Sequence, residues 1–470
     1  MVSSKQQFRP LWAATAAVMM FRLVIGGDNT VIAQGSKESG TLSAQVAELA
    51  HPYVESKVVV GLSLGIIKEG FSATIHLGET RIGGETPSDQ TVYEIGSISK
   101  VFTGILLADA VQRGLVRLDQ PVGELASAGV SFPAWPERPI TLLDLATHRS
   151  GLPRLAANMP SLHSDDPYHD YTSALAYQFL SGHQLRRAPG AESEYSNLGF
   201  SLLGHLLGLK QGLDYETLLR DRITRPLAMN DTHIVLRDDI RNRYATPYSS
   251  VAVEASPWTF ADMPGAGGIR STMSDMLSFA RAQIDPPDNT TGQAIQLAWQ
   301  KHVDGNPVMG LGWHFSQDGL SHWHNGQTGG FHSMVIINRK LRIAVVLLTN
   351  TAAMKVDQLA RDIILMLAGS AVTPRQFETP IDVDEAVLDS YVGRYQLAPA
   401  FILTVSKENG KLMVGATDQP TLQVFPRSTT EWYYRAVDAT LIFQAGENGT
   451  AESLELLQNG QRHTAKRIDP

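Results

Sequence analysis

The stretch Tyr93-Glu94-Ile95-Gly96-Ser97-Ile98-Ser99-Lys100, followed by an apolar run from Val101 to Val111, decides how the chain is read. The run repeats at helical spacing and Gly114 ends it, so the pattern predicts a helix from Ser97 to about Gln112. Ser97 and Lys100, three apart at its start, then share a face, and the amine of one reaches the hydroxyl of the other. Acyl transfer needs such a pair, because a serine hydroxyl is a poor nucleophile until a neighbour takes its proton. The first-turn N–H groups and the helix dipole favour the oxyanion that forms beside it. A capped surface helix would show the same tetrapeptide, but this is the only Ser-x-x-Lys in the chain and it follows a predicted strand.

Upstream, Val58 to Ile67 and Phe71 to His76 read as two antiparallel strands joined at Lys68-Glu69-Gly70. Downstream, helical patterns at Ile140 to Ala146, Leu175 to Leu180, Leu198 to Leu209 and Tyr215 to Thr224 alternate with Pro- and Gly-rich loops. Strands resume at Met309 to His314, Ser321 to His324, Phe331 to Ile337 and Arg342 to Thr349, and an apolar helix, Val356 to Leu367, closes the unit. Strands at both ends around a helical middle predict an α/β (α+β) domain: an antiparallel sheet, completed by distant segments and flanked by helices, with a large helical insertion. Beyond a Pro- and acid-rich linker at 373–384, short alternating strands with turns at Asn409-Gly410, Asn448-Gly449 and Asn459-Gly460 predict a small all-β barrel or sandwich domain over 385–470.

With 470 residues and 43% hydrophobic content the chain supports a sizeable core. Net charge is −8 with no basic block, which argues against nucleic acid as a partner. The absence of cysteine excludes disulfides, thiolate catalysis and cysteine-held metal clusters. Lys5 and Arg9, the apolar run Leu11 to Phe21 and small residues around Val31-Ile32-Ala33 read as a signal peptide over 1–33, with the catalytic domain at 34–372. The expected location is periplasmic or secreted, with no stable membrane span, since the apolar run is too short to cross a bilayer.

Four further stretches bear on chemistry. Tyr195-Ser196-Asn197 precedes a predicted helix; the Tyr195 phenol serves as a base only where cations stabilise its phenolate, and Lys100 is such a neighbour. Asn197 offers an amide for a substrate carbonyl or for Lys100. In His324-Asn325-Gly326-Gln327-Thr328-Gly329-Gly330, the glycines admit an extended ligand, and His324 offers a donor and, at lower pH, a positive charge. Thr147-His148-Arg149-Ser150-Gly151-Leu152-Pro153 and Pro264 to Thr272 read as structural, as does Trp313. His76-Leu77-Gly78 repeats the His-x-Gly pattern but precedes Ser97 and is set aside. His314, His322, His324 and His332 raise the idea of zinc, but no His-Glu-x-x-His pattern supports it, so neither metal nor cofactor is expected.

The ordered set Ser97-x-x-Lys100, Tyr195-x-Asn197 and His324-x-Gly326 resembles the penicillin-recognising serine hydrolases, especially class C β-lactamases, over roughly Glu55 to Leu367. The stretches at 147–153 and 264–272 resemble that family's "HTSGLP" and "AGGxxST" signatures, and the C-terminal region resembles a lipocalin-like β domain. The resemblance implies an acyl-enzyme on Ser97, proton transfer shared by Lys100 and Tyr195, and an oxyanion hole of the Ser97 and Gln327 N–H groups. Substrate contacts would fall on Asn197, His324, Gly326 and Gln327. His324 stands where class C enzymes usually carry lysine. The implied activity is hydrolysis of a β-lactam or related amide. D-alanyl peptidase, D-aminopeptidase or carboxylesterase activity on the same site, and an inactive cell-wall peptide-binding module, are the alternatives.

Overall fold

A computed structural model of the chain describes residues 35–468, apart from positions 127, 128, 161, 164, 379, 409, 418, 420, 436, 447, 448 and 459. The signal peptide expected over 1–33 therefore lies outside the described residues, as do Asn409, Asn448 and Asn459 of the predicted turns. The chain divides into two compact units, one ending at Arg375 and one beginning at Gln376. No helix among the described residues is long and apolar enough to cross a membrane.

In the first unit, helix α1 (Gly35–Glu55) leads to β1 (Gly61–Lys68) and β2 (Phe71–Gly78), then to β3 (Val92–Glu94) and α2 (Ser99–Gln112). Helices α3 (Leu142–Ala146), α4 (Ser173–Gly182), α5 (Asn197–Gln211), α6 (Tyr215–Leu219) and α7 (Asp238–Arg241) form the insertion. Then come β4 (Arg270–Thr272), α8 (Met273–Ile284), α9 (Thr290–Trp299), β5 (His314–Phe315), β6 (His322–Gln327), β7 (His332–Asn338), β8 (Ile343–Thr349) and α10 (Val356–Leu367).

Six strands form one antiparallel sheet in the order β2-β1-β8-β7-β6-β5, so the first and last strands of the unit pair at its centre. β7 and β8 are buried at every residue, which matches the apolar runs Met334 to Ile337 and Ile343 to Leu348 and means that both faces are covered. Ala344, Val346 and Leu348 join the core that holds Met276 and Leu277 of α8, whereas the alternate residues Val345 and Leu347 are equally buried toward the other face. β3 and β4 form a separate two-stranded ribbon.

Helix α2 is buried from Ser99 to Ala110, and a helix enclosed on all sides carries apolar residues all round. The expected helix start differs by one turn: Gly96–Ile98 is a 3-10 turn and the α-helix begins at Ser99. Gly96 adopts φ +49°, a left-handed conformation that suits glycine. Tyr215 to Thr224, expected as one helix, changes at Arg220 to a wider π-helical turn. The strand expected from Met309 shortens to His314–Phe315, because Gly312 turns the chain at φ +77° beneath the Lys100 carbonyl.

In the second unit a short helix, α11 (Glu385–Tyr391), precedes eight strands: β9 (Gly393–Ala398), β10 (Phe401–Glu408), β11 (Lys411–Ala416), β12 (Leu422–Pro426), β13 (Glu431–Tyr434), β14 (Ala439–Ala445), β15 (Ala451–Gln458) and β16 (Gln461–Arg467). They close into an antiparallel barrel in which β16 and β10 flank β9, so no strand edge stays open. Alternating residues such as Leu403, Val405, Leu441 and Phe443 fill it, and Tyr391 of α11 stacks on Phe443 with ring centroids 4.1 Å apart.

Candidate active site

Ser97 sits in the 3-10 turn at the head of α2, and the succession of turn and helix brings Lys100 beneath it. Lys100 Nζ lies 2.8 Å from Ser97 Oγ and donates to the Ala266 carbonyl at 2.7 Å. Ala266 belongs to the Pro264–Thr272 stretch, which fastens to α2 again where Ile269 N–H donates to Ser99 Oγ (3.1 Å) and Thr103 Oγ1 donates to Gly265 O (2.6 Å). A stretch read as structural thus supplies the acceptor that orients the lysine.

Lys100 is fully buried, and desolvation, helped by the Arg154 charge, holds its amine well below the usual lysine range. Its neutral form is favoured while no carboxylate among the described residues pairs with it. Tyr195 enters from the start of α5, with Lys100 Nζ 4.8 Å and Arg154 Cζ 5.1 Å from its ring centroid. Burial pushes the Tyr195 phenol up to about 12, against the weaker opposing influence of the Ser97 hydroxyl and the Arg154 charge. The two candidate bases therefore differ: the environment favours the free amine of Lys100 and the protonated phenol of Tyr195.

Of the two roles expected of Asn197, the structure does not show the hold on Lys100. Its Nδ2 donates to Tyr168 OH at 2.9 Å and Lys100 is held by Ala266 instead, while the buried Asn197 Oδ1 has no partner among the described residues. Tyr168, absent from the sequence reading, arrives on the loop before α4 and stacks on Phe260 at 4.9 Å between centroids. His148 also contributes more than loop support: its ring lies 4.4 Å from the Tyr195 ring, and its Nδ1 accepts the Ser196 N–H at 3.0 Å. That bond leaves the proton on Nε2, which is buried and unpaired among the described residues.

The third motif lies on β6, whose end packs against the Ser97 turn. A Cβ at Gly326 would fall 2.0 Å from the Ile95 carbonyl, and one at Gly96 would fall 2.7 Å from Gln327 N. Gly326 thus admits the backbone of the serine turn, a different partner from the extended ligand expected for these glycines. The approach places Gln327 N beside the residue that precedes the serine. His332 accompanies Gln327 at 3.1 Å (Nδ1 to Oε1), and Asp357 at the start of α10 accepts from both His332 Nε2 (2.7 Å) and Asn325 Nδ2 (2.8 Å).

His324 overturns the expectation of a titrating cation. It is fully buried, and desolvation together with the nearby His314 and Lys100 pushes its pKa well below the ordinary histidine value, so the ring is neutral at neutral pH. Its Nδ1–H donates to the Asn325 carbonyl at 2.6 Å, which leaves Nε2 as an acceptor, buried and unpaired among the described residues. His314, 5.0 Å from the His324 ring, is likewise pushed down to about 4 by burial and by Lys100. His322 stacks on Trp299 at 3.7 Å and bonds its carbonyl, so the alternating pair does not converge on a metal. Among the described residues, the ligand-forming group is instead the surface trio His163, His169 and Asp170. His76 bonds Ser63 and Asp89 instead. Trp313 is buried beside Phe279 and Trp299, as a packing residue.

With this geometry in view, the similarity to known proteins is informative. The family model described as β-lactamase matches residues 46–369. The chain belongs to the β-lactamase family. It is a β-lactamase-fold serine hydrolase, of a family whose members act on amide and β-lactam bonds. A β-lactamase of Escherichia coli K12 is 30% identical over 285 residues, covering 57% of this chain and 70% of that protein. The D-alanyl-D-alanine-carboxypeptidase/endopeptidase AmpH of the same organism is 28% identical over 340 residues, covering 66% and 85%. A β-lactamase/D-alanine carboxypeptidase from Yersinia pestis, solved with citrate, shares the fold with a TM-score of 0.60 at 24% identity, over 70% of this chain and 99% of that one. A second model, described as a domain of unknown function (DUF3471), matches residues 378–466, the region of the barrel.

Proposed function

We propose that this protein hydrolyses a β-lactam or related amide through an acyl intermediate on Ser97. The observation that carries the reading is the 2.8 Å approach of a buried, uncompensated Lys100 amine to Ser97 Oγ. In the first step the Ser97 proton passes to Nζ of Lys100 as Oγ adds to the carbonyl carbon. The N–H groups of Ser97 and Gln327 receive the oxyanion; the former lies in the 3-10 turn Gly96–Ile98, where the first N–H groups lack intrahelical partners. Collapse breaks the C–N bond, and the amine leaves with a proton delivered from Lys100 through Tyr195, whose phenol stays protonated between transfers. Water then attacks the ester carbonyl, gives its proton back along the same route and frees Ser97.

Two finer readings follow. Hydrolysis of D-alanyl amides on the same site is the second reading, since His324, a neutral acceptor, stands where class C enzymes carry a cation. The N-terminal segment is taken to direct export to the periplasm or medium, which fits a cell-wall or β-lactam substrate. The decisive experiment compares the protein with Ser97→Ala on a chromogenic cephalosporin, a nitrophenyl ester and an N-acetyl-D-alanyl-D-alanine dipeptide, with intact mass to detect the acyl adduct. Ser97-dependent turnover or adduct is expected; turnover that survives in Ser97→Ala, or its absence on all three with no adduct, refutes the proposal.

A further inference from the structure

Arg154 follows the Gly151-Leu152-Pro153 turn, and its carbonyl accepts the N–H groups of Asn197 and Leu198 at 3.0 and 3.2 Å. The loop is thereby fixed to the first turn of α5, beside Tyr195. Its guanidinium carbon stands 5.1 Å from the Tyr195 ring centroid on an exposed side chain. Several arginines of this unit meet carboxylates, as Arg138 meets Asp144, Arg243 meets Asp231 and Arg375 meets Asp362, while Arg149 and Arg339 donate to backbone carbonyls and Arg281 to the Ser72 hydroxyl. No such partner engages Arg154 among the described residues, although the chain carries a net charge of −8.

That isolation has a cost. The Arg154 charge bears on Lys100, His148 and Tyr195, and a fold that keeps an uncompensated cation beside a buried amine leaves positive potential at the site mouth. His324 does not provide it, being neutral with only an acceptor nitrogen open. A guanidinium offers the two-pronged donor set that matches a carboxylate, and an aromatic face beneath it restricts its motion.

We infer that Arg154 receives a carboxylate of the substrate, so that the acyl donors preferred by Ser97 are those carrying a free carboxylate within reach of the Tyr195 side. The inference rests on the acyl-Ser97 reading and names the substrate class for it. The carboxylate can belong to the leaving group, as in a peptide ending in a free D-amino acid, or to the acyl portion, as in a dicarboxylic monoester.

Matched substrates separate these cases: an N-acetyl-D-alanyl-D-alanine dipeptide against its C-terminal amide, and a glutaryl against a butyryl nitrophenyl ester. In Arg154→Gln the kcat/KM ratio of charged to neutral substrate is expected to fall about 10- to 100-fold for one pair, with Arg154→Lys keeping part of the preference. The pair that responds identifies the carboxylate. A ratio unchanged within twofold for both pairs overturns the inference, including the case in which all four substrates slow equally because Arg154 acts only through Lys100. Calorimetric affinity of Ser97→Ala, with and without Arg154→Gln, for the dipeptide, its amide, the monoamide of glutarate and butyramide reads the same preference without turnover. A charge preference lost with Arg154 in that assay upholds the inference even if acylation fails, and affinity indifferent to Arg154 refutes it.

Discussion

Replacing Gly326 by alanine tests whether the close packing of β6 on the serine turn sets the rate. The new Cβ would lie 2.0 Å from the Ile95 carbonyl oxygen and 2.6 Å from Ser333 Oγ. A carbon meets a carbonyl oxygen comfortably only at about 3.3 Å, so strand and turn must part by about 1 Å. The hydroxyl of Ser333 can rotate away, but the carbonyl is held by donors on both sides, Ser333 Oγ at 2.8 Å and Ile98 N at 3.2 Å. Such overpacking costs about 1–3 kcal/mol of stability. Its kinetic effect should be larger, because a shift of about 1 Å in Gln327 N relative to Ser97 spoils the alignment on which the oxyanion hole depends, and misplacement of that size costs about 100-fold. Thermal melting and Ser97-dependent hydrolysis of a nitrophenyl ester measure the two effects. A lowered Tm with kcat/KM about 100-fold down is expected; a lowered Tm with kcat/KM within twofold of the parent would refute the role given to this contact.

Three further outcomes follow from the same geometry. Lys100→Arg keeps a nitrogen donor beside Ser97 but stays protonated and cannot take the serine proton, so ester hydrolysis should fall by at least about a hundredfold at every pH; more than a tenth of the parent rate would exclude Lys100 as the base. Because burial keeps His324 neutral, the affinity of Ser97→Ala for an N-acetylated D-alanyl dipeptide should be flat from about pH 5.5 to 8, and weakening as pH rises through about 6.5 would restore the titrating cation. His314 is held at about 4, so the unfolded chain takes up that proton first as pH falls. Its contribution to stability should be present above pH about 6.5 and lost toward 4, and a melting series of His314→Gln against the parent should show a shallower acid decline; parallel declines would count against it.

The parts of the fold most legible in sequence were those whose burial is one-dimensional. Val356 to Leu367 carries a one-sided apolar stripe and forms the helix expected at those bounds. β7 and β8 read as apolar runs because both their faces are covered. The β3–β4 pair and helices α8 and α9 escaped the reading: three-residue strands have no measurable period, and the helical middle hides its boundaries in loops. At the site, Ser97, Lys100, Tyr195 and the β6 motif were found because each lies in a short motif next to a regular element, and the structure brings them together. Tyr168 escaped because its contact with Asn197 depends on how a loop about 30 residues upstream folds over, which no local spacing records. His148 and Ala266 were assigned to structure alone, since sequence cannot reveal which nitrogen or carbonyl faces a buried amine. His324 was found but its charge state was not, because a pKa depends on burial and on neighbours that are distant in the chain.

The electrostatic arrangement gives these corrections a common cause. A lysine serves as a base only if its free amine persists, which requires desolvation and no carboxylate beside it. Lys100 meets that condition at full burial, held by a carbonyl rather than an acid. A second ammonium at position 324, in the same desolvated space, would have to be neutral as well or be paid for in stability, and a neutral amine would not grip an anion. Histidine there accepts neutrality at little cost, and the cation is moved outward to Arg154, where solvent supports its charge while the Tyr195 ring keeps it within reach of the reaction. The proposed base and the proposed anion receptor are thereby separated by one aromatic side chain, Tyr195, which is also the group proposed to carry the proton between the nucleophile and the departing amine.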